Sequence, residues 1–318
     1  MQKAVEMEVC APDGPTRLIL DDSTLSQSWE VGDEIEVRGY YKDASAEYHF
    51  SDIILSACSG GSKVLFRGTM DPTIPSYPSS TLVAIAPSGK VESVSKNNVN
   101  ILTDEVQTGA PADFGKYAVS ISATSFKAVK NSDGTYGLPK INRMRNILPV
   151  IHFTVEEGLG VTEIEIRGFN KETGKSVALS GKMNFKPSRM GFYSVTSSAS
   201  EMVRIYRGGD EISGHVYACL MPDFPTRYNN DGYYTGTDAP TLDDGNLRGR
   251  NCADSLSFIF RDATGFEVEI GSAITPKSLL SGSVKDLGKV KRMPFPHYIG
   301  MEFNSGIEDF GAGETFNP

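Results

Sequence analysis

The side chains able to do chemistry in this 318-residue sequence are thinly spread. Its four histidines, His49, His152, His215 and His297, fall too far apart for a local metal motif of the H-E-x-x-H kind, in which two imidazoles share one helical face. His152 and His215 sit inside alternating strand patterns and are expected in the core or on a sheet face. Gly158-Leu159-Gly160 lacks the third glycine and the strand-to-helix setting with which backbone N–H groups cradle a pyrophosphate. No G-x-S-x-G elbow occurs. Glu156-Glu157 and Asp243-Asp244 are neighbours in sequence, which says nothing of the spatial separation that glycoside hydrolysis needs. Turn and surface roles are expected for them. Cys10, Cys58, Cys219 and Cys252 lack C-x-x-C spacing, and four cysteines so dispersed make no disulfide framework, so buried free thiols are expected.

The most suggestive polar stretch is 223–250, which is long for a connection and gathers Asn229-Asn230-Asp231-Gly232, Tyr233-Tyr234, Asp238 and Asp243-Asp244-Gly245-Asn246. A hard cation needs several oxygen ligands, but Arg227 stands where a calcium loop of the helix-loop-helix kind places its first carboxylate. A decorated surface loop is the plainer expectation. Tyr228, Asp231, Tyr233, Tyr234 and Asp238 form the candidate ligand-contact set, with the tyrosines either stacking on a sugar ring or lying on the protein's own sheet. No metal or cofactor is expected, and no catalysis.

The formal net charge of −9, with no long Lys/Arg cluster, argues against a nucleic-acid or anionic-membrane surface. Lys3, Glu6 and Glu8 interrupt the apolar residues of the N-terminus, so no signal-peptide core is present and the chain is expected to be cytosolic or already trimmed. The longest uncharged run, 72–89, carries Pro72, Pro75, Pro78 and Pro87 and is not a membrane helix.

The elements that must position these groups read as strands. Trp29-Glu-Val-Gly-Asp-Glu-Ile-Glu-Val37 joins a turn at Gly32-Asp33 to a strand with Ile35 and Val37 inward and Glu34, Glu36 and Arg38 outward, and it holds the only tryptophan. Trp29 is expected beneath that sheet. Val5-Glu-Met-Glu-Val9 alternates as a first strand, 16–22 is a second and 63–70 a later one, and 82–87 is a short apolar run of the length expected of a buried strand. A mixed segment covers 48–57. Residues 90–108 contain neither glycine nor proline, yet Val91, Val94, Val99, Ile101 and Val106 keep no helical stripe, so strands and loop are expected there. One strand is expected at 116–121. The turn-rich 130–146 is the expected boundary, giving domains 1–140 and 141–318.

The second half restarts with 150–155 and 161–167, the latter with Ile164 and Ile166 inward and Glu163, Glu165 and Arg167 outward. Leu179-x-Gly181-x-Met183 echoes Phe66-x-Gly68-x-Met70. A strand covers 215–221, and 256–260 and 266–270 flank turn residues Asp262 to Gly265 as a hairpin. Short strands divided by turn residues predict an all-β protein built of sandwiches.

Taken in order, Thr16-Arg17 with Leu18-Ile19-Leu20, then Trp29, Gly32-Asp33 and its strand, Phe66-x-Gly68 before the apolar strand ending at Pro87, the strand ending at Pro222, the Asp262 hairpin and Leu287-Gly288-Lys289-Val290, the sequence resembles the fimbrillin-like proteins of Bacteroidetes, the type V pilin and Mfa-like family. The resemblance implies two tandem transthyretin-like β-sandwich domains in a surface protein, outer-membrane anchored or fimbrial, held by a lipid outside this chain. It further implies that proteolysis, with Arg17 as the candidate processing site, frees an N-terminal strand (Val5 to Ala11), and that other fimbrial subunits fill the vacated place by strand donation. Host or bacterial glycans or proteins are the expected receptors. Residues 303–318 contain Gly306, Gly311 and Gly313 and only irregularly spaced Ile307, Phe310 and Phe316, which makes a poor donor strand. An accessory, tip or anchor role is therefore expected rather than a stalk. A surface-anchored carbohydrate-binding β-sandwich module of a glycan-uptake system is the alternative.

Overall fold

Strands make up nearly every element of the computed structural model, which describes residues 3–11, 28–42, 48–50, 53–70, 81–95, 98–122, 126–132, 136–142, 144–170, 174–185, 193–195, 199–222, 253, 255–273, 279, 284–292 and 299–302. The first strands are β1 (Lys3–Cys10), β2 (Glu34–Lys42), β3 (Tyr48–Phe50), β4 (Ile53–Ala57), β5 (Lys63–Met70) and β6 (Thr81–Ala86). They are followed by β7 (Val91–Ser95), β8 (Asn98–Thr103), β9 (Val106–Gln107), a single helical turn α1 (Phe114–Tyr117), β10 (Ser120–Ser122), β11 (Val129–Lys130), β12 (Tyr136–Gly137) and β13 (Met144–Asn146). Then come β14 (Val150–Val155), β15 (Val161–Asn170), β16 (Lys175–Val177), β17 (Gly181–Phe185), β18 (Tyr193–Val195), β19 (Met202–Tyr206) and β20 (Gly214–Cys219). The last are β21 (Ser255–Asp262), β22 (Glu267–Ala273), β23 (Val284–Arg292) and β24 (Ile299–Glu302). The protein is all-β, as the short strands divided by turn residues predict.

The first sheet runs β1-β5-β4-β2-β6-β10-β13, with β3 beside β2, and its pairings are antiparallel. It curls until Ile141, just before its last strand, bridges back to Val9 of its first. Inside lies one apolar cluster that includes Val5, Met7, Val9, Trp29, Ile35, Val37, Leu55, Phe66 and Met144. Trp29 is buried there, its ring edge-on to Phe66 with centroids 5.0 Å apart. Gly32 takes φ +90°, and Asp33 accepts the Glu30 N–H at 2.7 Å, which closes the turn that starts β2. Burial raises the Asp33 carboxyl above its ordinary range, against that bond.

Two further sheets, β22-β21-β15-β19-β9 and β20-β14-β23-β24, face each other across a second cluster. Ile151, Phe153 and Val155 of one sheet meet Ile164, Ile166, Phe258 and Phe260 of the other. A fourth sheet, β18-β17-β8-β7, pairs strands from well-separated parts of the chain. A third cluster lies between, built from Val83, Ile85, Val99, Ile101, Phe114, Ile121, Met183, Tyr217 and Cys219 among others. Strand β6 thus buries both faces, Leu82 and Ala84 toward the first cluster and Val83 and Ile85 toward the third. Gln107 is buried in this middle layer. Its amide nitrogen donates to the Cys219 carbonyl at 2.7 Å and its amide oxygen accepts the Cys219 N–H at 2.9 Å, so the carboxamide stands in for a neighbouring strand.

Three expectations are corrected. The strand expected at 116–121 begins only at Ser120, because Pro111 opens a 3-10 turn that runs into α1, where Asp113 pairs with Lys116 three residues on. Glu36 and Glu165 are buried rather than on a wet face, because Arg38 covers the first while Arg261 and Arg167 cover the second. The free thiols differ in burial: Cys219 is buried, Cys10 half-buried and Cys58 exposed. Burial pushes the Cys219 thiol far up, so it stays protonated and inert.

Outside the second cluster, Arg261 of β21 reaches three carboxylates. Its Nη1 donates to Glu163 at 2.7 Å and Glu165 at 2.8 Å, and its Nε donates to Glu267 at 3.0 Å. Burial pushes the Glu165 carboxyl up, but bonds from Arg261 and Arg167 outweigh it and hold it below the ordinary range. The same contacts, that to Glu165 foremost, raise the Arg261 guanidinium.

Candidate functional site

The residues flagged at 223–250, Tyr228, Asp231, Tyr233, Tyr234 and Asp238, lie outside the described residues, as do Arg17, the strand expected at 16–22 and Cys252. What the structure does describe is the strand that the resemblance marks as removable. Residues Lys3 to Cys10 alternate Ala4, Glu6 and Glu8 with Val5, Met7 and Val9, which is enough to put three apolar side chains on one face. All three are buried, as is Ala11 just beyond.

Strand β1 pairs with β5 in an unbroken antiparallel register from Lys3 opposite Met70 to Cys10 opposite Lys63. Its other edge is also engaged. The Cys10 N–H donates to the Ile141 carbonyl at 2.9 Å, and the Ile141 N–H donates to the Glu8 carbonyl at 2.8 Å, so the end of β1 is held on two sides. Gly68 of β5 allows the sheet its close approach, since a Cβ there would stand 2.3 Å from the Ile54 carbonyl oxygen.

The outward face of β1 is acidic and its surroundings are basic. Glu6 meets Arg67 of β5 at 2.7 Å, and Glu8 meets Lys140 at 2.7 Å and Lys63 at 3.1 Å. The Lys140 ammonium, then that of Lys63, holds the Glu8 carboxyl below its ordinary range. In return, Glu8 raises Lys140 and Glu6 raises Arg67. All of these groups are solvent-exposed, so salt screens them. Nothing in the sequence spacing links Lys140 to β1. Only the bridge at Ile141 brings it there.

Sequence spacing also separates two histidines that the fold joins. His152 of β14 and His215 of β20 lie on adjacent antiparallel strands, with His152 Nε2 2.9 Å from His215 Nδ1 and ring centroids 5.1 Å apart. His152 Nδ1 is 3.1 Å from Asp286 Oδ1 of β23, which favours a proton on that nitrogen and leaves Nε2 to accept from His215. The Tyr217 ring stacks on His152 at 4.5 Å. No group of three or more His, Cys, Asp or Glu is placed to hold a metal ion among the described residues. No described helix is long and apolar enough to cross a membrane.

Comparison with solved structures finds likenesses along the whole chain. A protein assigned to cell adhesion from Bacteroides uniformis is similar with a TM-score of 0.46 and 12% identity, over 95% of this chain and 97% of that one. Another assigned to cell adhesion, from Bacteroides ovatus, gives 0.44 and 12% over 99% and 100%. The C-terminally truncated tip fimbrial protein Mfa3 of Porphyromonas gingivalis gives 0.41 and 12% over 96% and 99%. No protein-family profile matches the chain, and no curated protein matches it.

Proposed function

We propose that this protein is a non-catalytic fimbrillin-like surface protein, an adhesin or an accessory, tip or anchor subunit of a type V pilus, which joins other subunits by strand exchange at the place of β1. The carrying observation is the seat itself. An N-terminal strand is paired on both edges at its far end and fills the first core with Val5, Met7 and Val9. Its removal would expose backbone groups of β5 and Ile141 together with an apolar trough, and a strand supplied by another chain would satisfy both. The order of motifs in the sequence supports the same reading. Cell-surface location, outer-membrane attachment by a lipid outside this chain, and glycan or protein receptors belong to this proposal.

The test uses the full chain with a site-specific protease sequence inserted between Ala11 and Ser28. After cleavage, a fluorescent peptide of residues 3–11, with Cys10→Ser, is added. Stoichiometric incorporation with the protein still monomeric on sizing chromatography is expected. Failure to take up the peptide while circular dichroism stays unchanged would remove the proposal. The cut chain alone is expected to form no long filaments in negative-stain microscopy.

A further inference from the structure

We propose that the seat of β1 selects its incoming strand by charge, taking a strand from a partner subunit that presents acidic residues at the two outward positions between three inward apolar ones. This rests on the strand-exchange reading above and adds the chemistry of the partner to it.

The described rim of the seat is cationic on both sides. Lys63 and Arg67 project from β5, and Lys140 projects from the stretch that bridges the other edge. The outward residues of β5 are Lys63, Leu65, Arg67 and Thr69, and the far side offers Lys140 before Ile141, so among the described residues at the rim the only facing carboxylates are those of β1 itself. On the next strands, Ile54 and Ser56 of β4 carry no charge, and of the β2 carboxylates Glu36 is already bonded to Arg38 while Glu34 lies beyond Ser56, a strand removed from Arg67, and accepts the Ser88 hydroxyl at 2.6 Å. With β1 gone, three cations stand together without their counter-charges, on a protein whose formal net charge is −9. A strand with lysines at the same positions would add like charge to that group, whereas one with Asp or Glu restores the pairs now made by Glu6 and Glu8. Rim charges of this kind act mainly on partner choice and association rate.

Core chemistry sets the remainder of the pattern. Val5 and Val9 flank Met7 on the buried face, so the strand that replaces them must carry apolar side chains at alternate positions, the middle one long and unbranched. It must run antiparallel to β5, because the seat offers β5 the register of Lys3 opposite Met70 through Cys10 opposite Lys63.

The cleaved full chain decides the matter with two labelled peptides of residues 3–11, one of native sequence and one carrying Glu6→Lys and Glu8→Lys, both with Cys10→Ser. The native peptide is expected to bind about tenfold tighter at low salt, the difference narrowing to about twofold near 1 M salt. Equal affinities, or a preference that salt leaves untouched, overturns charge selection while leaving strand exchange standing. Failure of both peptides overturns the two together. A second protein guards against an artefact of the peptides. In a full chain carrying Lys63→Glu, Arg67→Glu and Lys140→Glu, compensated in β1 by Glu6→Lys and Glu8→Lys so that the uncut protein folds, the preference is expected to invert after cleavage, and an uninverted preference refutes the assignment.

Discussion

Strands β1 and β15 solve the same local problem in opposite surroundings. Each buries alternate apolar residues, Val5, Met7 and Val9 in one and Ile164 and Ile166 in the other, and each carries outward carboxylates answered by nearby cations. Strand β15 is laddered to β21 along one edge and to β19 and then β16 along the other, and Glu165 is buried under Arg261. Strand β1 is laddered along one edge, touched at one end on the other, and its ion pairs are exposed. The inward face decides whether either strand belongs to the fold. The outward face decides how easily it leaves.

The largest expected effect comes from the inward faces. Met7→Ala and Ile166→Ala each remove a buried side chain at about 3 kcal/mol, but hydrogen exchange should separate them. The first should expose the amides of Lys3–Cys10 while β15 stays protected, and the second should lower protection throughout the sheet around β15. Loss of β15 protection in Met7→Ala would erase the distinction. Next in size is Arg261→Ala, expected to cost about 2 kcal/mol because Glu165 is left buried with Arg167 as its remaining guanidinium. A thermal melt unchanged within error would show that the β15 pairs are ornamental.

Glu8→Gln should have a smaller effect, seen as faster exchange of β1 amides at low ionic strength and as no difference from the parent near about 0.5 M salt. A difference that survives salt would place Glu8 among the packing residues instead. The smallest effect is that of pH. The Glu8 carboxyl is held below its usual 4.5, so its contribution to the seat is present above that value and fades as pH falls through the lower folded value. The Glu165 carboxyl is lowered as well, so acid should loosen both strands whereas salt should loosen only β1. Parallel salt and acid titrations followed by hydrogen exchange would expose any failure of that contrast.

Much of the fold was legible in residue alternation, because each strand's own pattern reports its buried face. The Trp29 turn, the eight residues of β5 and the Asp262 hairpin could each be placed from local chemistry, and Asp262 does cap its turn by accepting the N–H groups of Thr264 and Phe266. Legibility ended where one carboxylate is covered by a distant cation. Glu165 looks solvated until Arg261, 96 residues later, is seen above it. The His152–His215 contact spans 63 residues and the seat of Glu8 depends on Lys140, so neither had a local signal to find. The short helical turn was missed because four residues are too few for a periodic stripe, although Pro111 marked its start.

The middle layer also sets a timetable for synthesis. The first sheet needs nothing later than Asn146, so it can close while the rest of the chain is still being made. Val83 and Ile85 on its outer side, and β8 beside them, must wait: Thr103 finds Gly181 only 78 residues later, and Gln107 finds Cys219 only after 112. During that interval an apolar face and the edge of β8 that β17 will cover stand open to whatever else is nearby. A chain interrupted between these points would keep a well-formed first sheet whose back is covered only by the early members of the third cluster, such as Ile101 and Phe114.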